Sequence, residues 1–62
     1  MQVELWFNGD TPGVDEGLVV EGSAVSIVGE IGAEDWATLK GIDGREYKIR
    51  TSDIIACADM EV

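Results

Sequence analysis

In the first stretch of the chain, VELWFN, Val3, Leu5 and Phe7 alternate with Glu4, Trp6 and Asn8. A period of two predicts a strand with one buried face, here the Val3–Leu5–Phe7 face, and sends Trp6 outward. NGDTPG then supplies five turn formers in six residues, and VDEG prolongs the loop. LVVE and SAVSIVG are β-branched runs separated by Glu21-Gly22. They read as two strands, or as one strand bent at the glycine. EIGAED reads as a connector.

WATLKGIDGREYKIR carries the strongest local signal, because Asp43-Gly44 lies between two β-prone runs and predicts a hairpin. A two-residue loop would pair Leu39 with Lys48 and Lys40 with Tyr47, mixing apolar and charged groups on each face. A three-residue loop, with Gly44 left-handed in a bulge, pairs Leu39 with Tyr47 and Ala37 with Ile49. The opposite face then sets Lys40 against Glu46, Thr38 against Lys48 and Trp36 against Arg50. A slip of one residue would reverse both faces, so the second register is expected. AEDWATLKG also carries helix signals: early acids, a late Lys and a terminal Gly. It would make only two turns, from mediocre helix formers, and the strand is preferred.

TSDIIACADMEV reads as a polar turn at Thr51-Ser52-Asp53, a last strand from Ile54 to Ala58, and an acidic tail. The whole predicts one all-β domain spanning residues 1–62, a small barrel or strongly curled antiparallel sheet of five to six short strands. The strand order, long first loop, Asp-Gly hairpin and polar turn before a short last strand resemble the SH3-like small barrels. The resemblance covers most of the chain but includes no specific motif. It implies a fold and not a function.

Sixty-two residues bury a small core, and chains of this size gain stability from disulfides, metals or association. Cys57 is the only cysteine and there is no histidine, which removes an internal disulfide and the usual zinc ligand sets. Self-association is the remaining route. No apolar run is long enough to span a membrane and the N-terminal stretch MQVELWFNGD is not a basic leader, so a cytoplasmic protein is expected.

The net charge is −9, and it is unevenly spread. Glu4, Asp10, Asp15, Glu16, Glu21, Glu30, Glu34 and Asp35 precede any cation, while Lys40, Arg45, Lys48 and Arg50 all lie in one short stretch. Such a balance argues against direct nucleic-acid binding and favours solubility and the steering of basic partners.

The residues suited to catalysis are few. Without histidine there is no Ser-His or Cys-His pair. Cys57, between alanines in IIACAD, has no neighbouring cation to stabilise a thiolate and reads as core filler. NGDTPGVDEG fails the EF-hand pattern, because Pro12 and Val19 occupy ligand positions. The scattered glycines read as turn formers.

Trp6 and Trp36 both fall on polar strand faces, and tryptophan is enriched at binding hot spots. Trp6 is favoured as the contact residue, since Trp36 has Arg50 as an expected partner. The expected function is a non-enzymatic, acidic protein-binding module without cofactors. Size and style suit an accessory or inhibitor protein of a phage or mobile element, acting as a homo-oligomer or on a protein partner. Its candidate contacts are Trp6, Glu4, Trp36, Arg45, Lys48 and Arg50. Alternatives are a nucleic-acid mimic blocking a DNA-binding enzyme, an oligomeric sponge for a small anionic nucleotide ligand, and a housekeeping subunit of a salt-adapted cell.

Overall fold

Strand β1, Gln2–Phe7, lies at the middle of a three-stranded antiparallel sheet in the computed structural model, which describes residues 1–60. On one side it pairs with β2, Leu18–Glu21, in the register Val3 to Val20 and Leu5 to Leu18. The chain then forms a helix, α1, Ala24–Ala33, and a hairpin of β3, Trp36–Lys40, and β4, Glu46–Arg50. A single 3-10 turn, Thr51–Asp53, leads into β5, Ile54–Met60, which returns to the other edge of β1. A bulge between Trp6 and Phe7 shifts that last pairing.

The β3–β4 hairpin is a second sheet, tied to the first by a bridge between Val20 and Gly41 and by the Ile42 N–H donating to the Val19 carbonyl at 3.3 Å. The two sheets do not close into a barrel among the described residues. The architecture is mostly β, with five strands and one α-helix among the described residues.

That helix corrects the expected strand over SAVSIVG and the expected connector over EIGAED. Val25, Ile27, Val28 and Ile31 are β-branched, and Gly29 and Gly32 are poor helix formers, so local propensity opposes α1. Caps and packing decide otherwise. The Ser23 hydroxyl accepts from the Ser26 N–H at 3.3 Å, and the Asp59 carboxylate accepts from the Ala24 N–H at 2.8 Å. Ile27 is then driven into the core, with Ala24 packed against it.

The core joins both sheets and the helix: Val3, Leu5, Val20, Ile27, Ala37 and Leu39 are buried in one cluster, with Phe7, Leu18, Ile49, Ile54 and Cys57 around it. Fully burying one such side chain contributes about 1.5–3 kcal/mol, so each of these few residues matters. Thr51 is the one buried polar side chain among the described residues. Its hydroxyl donates to the Glu34 carbonyl at 2.6 Å, and its N–H donates to the Asp35 carbonyl at 2.9 Å, clamping the 3-10 turn to the start of β3.

Candidate interaction surface

The hairpin forms in the bulged register expected from its face pattern. Trp36 lies opposite Arg50, Ala37 opposite Ile49, Thr38 opposite Lys48, Leu39 opposite Tyr47 and Lys40 opposite Glu46. Gly44 adopts φ +86°, as the loop requires, and the Gly41 N–H donates to the Arg45 carbonyl at 2.8 Å. Ala37 and Leu39 point into the core, which leaves Trp36, Thr38, Lys40, Glu46, Lys48 and Arg50 on the exposed face.

Trp36 lies at the open end of that face, opposite Arg50. Its side chain is 56% exposed, and the Arg50 guanidinium carbon lies 5.1 Å from the ring centroid, a cation–π contact worth about 0.5–1 kcal/mol at an exposed site. The indole borders three separate depressions. The largest, about 590 Å³, runs between α1 and β3 and includes Glu30, Glu34 and Thr38 in its walls. A second, about 480 Å³, lies on the other side, against Phe7, Lys48 and Arg50. The third, about 240 Å³, is formed with Asp35, Arg50, Thr51 and Ser52. Glu30 lines the first depression, while its Oε2 atom is buried from solvent without a hydrogen-bond partner. An acceptor left in that state is costly unless a donor reaches it.

Two expected contact residues turn out to serve the interior. Trp6 is only 7% exposed, because the loop of residues 8–17 folds over it and the indole N–H donates to the Asp15 carbonyl at 2.8 Å. Glu4 is half-buried and accepts from the Gly17 N–H at 2.9 Å. Gly17 admits no side chain, since a Cβ there would lie 2.4 Å from the Leu5 carbonyl oxygen. The outward face of β1 is thus a floor for the loop, and Trp6 is removed from the accessible surface. Asp10 and Asp15 bond the Phe7 and Thr11 N–H groups and shape the same loop.

The remaining cations are dispersed along the hairpin. Arg45, at the tip, makes the one ion pair among the described residues, with Asp43 at 4.0 Å. Lys48 lies between Arg45 and Arg50 along the exposed strand. Lys40 and Glu46 are register partners, as expected, but come no closer than that and form no ion pair among the described residues. At the tip, Asp43 accepts from the Tyr47 hydroxyl at 2.7 Å and from the Arg45 N–H at 2.9 Å. The Tyr47 bond and then the Arg45 bond lower the Asp43 pKa below 3.8, and Asp43 in turn raises the Tyr47 pKa above 10.0.

Glu30 lies in EIGAED, which reads as a connector in the sequence and is helix in the fold. The signal that could have found it is Ser23 as a helix cap, followed by Ala24, Ile27 and Ile31 at helical spacing. Among the described residues no helix is long and apolar enough to cross a membrane. No protein-family model matches the sequence, and no curated protein or solved structure matches the chain.

Proposed function

We propose that this is a non-enzymatic protein-binding module built on an SH3-like barrel left open, and that it takes a basic segment of a partner protein against Trp36. The fold reading is supported by the strand connections: β1 paired to both β2 and β5, β2 bridged to the hairpin, and a 3-10 turn before the last strand. The observation that carries the function is the bare indole of Trp36, held in place by Arg50 where three depressions meet. A rigid, half-exposed aromatic beside shaped cavities is the usual anchor of an interface.

The charge of the partner follows from what surrounds the anchor. The α1–β3 groove is lined by Glu30 and Glu34, and carboxylates there suit a Lys ammonium or Arg guanidinium as donor. A net charge of −9 draws such partners in from a distance.

The test is a panel of fluorescent peptides, each with Lys or Arg flanked by apolar residues, measured by anisotropy at low and high salt. Wild type binds a subset, more weakly as salt rises. Trp36→Ala reduces affinity about thirtyfold, matching the roughly 2 kcal/mol of a hot-spot residue, and Glu30→Gln weakens the same peptides. Binding that survives Trp36→Ala, or that prefers acidic peptides, overturns the proposal.

A further inference from the structure

We infer that Asn8, the only asparagine, is a site of spontaneous covalent modification, converting through a cyclic imide with Gly9 to aspartate or isoaspartate. The Gly9 amide gives up its proton to solvent base, and its nitrogen bonds the Asn8 Cγ atom. The Cγ–Nδ2 bond breaks, and Nδ2 leaves as ammonia. Water then cleaves one of the two ring C–N bonds and leaves a new carboxylate, so the step needs no reactant besides water.

Both reacting groups are free to meet. Asn8 and Gly9 are exposed and form the corner of the turn that follows β1. The flanks of that turn are pinned: the Asp10 N–H donates to the Phe7 carbonyl at 2.9 Å, and the Phe7 N–H donates to the Asp10 carboxylate at 3.0 Å. The peptide linking Asn8 to Gly9 lies between these bonds, and neither its carbonyl nor its N–H has a partner among the described residues. Gly9 has φ +99°, and beyond its chain neighbours no atom lies within 4 Å of where a Cβ would sit, so the corner stands clear in solvent. The carboxamide is held by one long bond, Nδ2 donating to the Asp53 Oδ1 atom at 3.3 Å.

The hairpin tip shows the opposite case. Asp43-Gly44 is the other place where a side chain of this length precedes glycine. There the Gly44 N–H donates to the Gly41 carbonyl at 3.1 Å, while the Asp43 carboxylate accepts from Tyr47 and from the Arg45 N–H. Nitrogen and carboxyl are both engaged. The Tyr47 bond, and then the Arg45 bond, also lower the Asp43 pKa and keep the carboxyl in the charged form that a nitrogen does not attack. Conversion at Asn8 would alter the seam between β1 and the 3-10 turn. A carboxylate replaces the amide that donates to Asp53, so like charges meet. The isoaspartate form also lengthens the main chain next to the Asn8 N–H, which donates to the Asp53 carbonyl at 2.9 Å. Lys48, Arg50 and Trp36 border the same depression as Asn8, so the new charge falls beside the exposed indole. The conversion itself requires no bound partner and stands apart from the peptide reading.

The experiment incubates the full chain and its Asp43→Asn variant in mildly alkaline buffer, folded and in urea. Peptide mapping by mass spectrometry, with enzymatic methylation of isoaspartate, follows each site over time. Wild type accumulates aspartate and isoaspartate at position 8 and no isoaspartate at position 43. Asp43→Asn contains two Asn-Gly pairs, and in the folded protein position 8 converts about tenfold faster, because hydrogen bonds must open first at position 43. In urea the two rates converge, which separates the effect of the fold from that of the dipeptide. Asn8→Asp, which carries the new charge, melts at a lower temperature than wild type in low salt, and added salt narrows the gap. Absence of conversion at position 8 in the folded protein, or equal folded rates at the two sites of Asp43→Asn, would overturn the inference. Asn8→Asp melting together with wild type would overturn the effect assigned to the seam.

Discussion

Trp6 and Trp36 begin from equivalent places. Each sits at a strand position whose neighbours two residues away are polar, and each alternates with core residues. Trp6 ends under the 8–17 loop with its N–H bonded to the Asp15 carbonyl, whereas Trp36 ends in the open beside Arg50. The difference comes from the rest of the chain. A strand face is solvent-exposed only where nothing folds over it, and the long turn after β1 supplies a cover that the short hairpin loop cannot. One tryptophan becomes part of the fold and the other stays open to solvent.

Truncation separates the two roles most strongly. Trp6→Ala removes a buried indole and unpins the loop, and is expected to cost about 3–5 kcal/mol, enough to unfold much of so small a domain. Trp36→Ala gives up one exposed cation–π contact and is expected to cost no more than about 1 kcal/mol. Urea unfolding followed by circular dichroism measures both, and equal losses would erase the distinction.

The base of the hairpin is the next point of leverage. Thr51→Val keeps the shape but leaves the Glu34 carbonyl without its 2.6 Å donor, for an expected loss of about 1–3 kcal/mol. Amide exchange should quicken at the start of β3 and hardly change in β1. Uniform loosening would show that the hairpin is held by the core alone.

The smallest effect is at the tip. Tyr47 is the only tyrosine, so ultraviolet titration reads its phenolate directly. It should titrate above 10.0, and Asp43→Asn should bring it back toward that value. Because the Tyr47 pKa is raised in the folded state, its contribution to stability is complete below pH 10.0 and fades as pH rises through the folded value. Asp43 is the mirror case: its pKa is lowered, so its contribution holds above pH 3.8 and fades as pH falls through the folded value. Both groups are exposed, and the effect on overall stability is slight.

These contrasts follow what the sequence made legible. The hairpin could be read because its determinants are adjacent: Gly44 allows the bulge, and the apolar set Ala37, Leu39, Tyr47 and Ile49 admits a single register. The stacking of Arg50 on Trp36 followed from that register. The helix could not be read from its β-branched residues, because what fixes it arrives from far away: the Asp59 carboxylate at its first N–H and the core that receives Ile27. Placing Glu30 failed for the same reason. For Trp6, alternation says which way the side chain leaves its strand and nothing about the loop that covers it. Lys40 and Glu46 show the converse limit, since pairing of Cα positions does not bring long, solvated side chains together.

The central claim is that Trp36, and not Trp6, is the aromatic this molecule offers to others. Acrylamide quenching of two single-tryptophan proteins, Trp6→Phe and Trp36→Phe, tests it directly, with and without a basic peptide that wild type binds. The account predicts that the protein retaining Trp36 is quenched several-fold more efficiently and becomes shielded when peptide is added, while the one retaining Trp6 resists quencher throughout. Equal quenching of the two, or shielding of Trp6 alone, would contradict it.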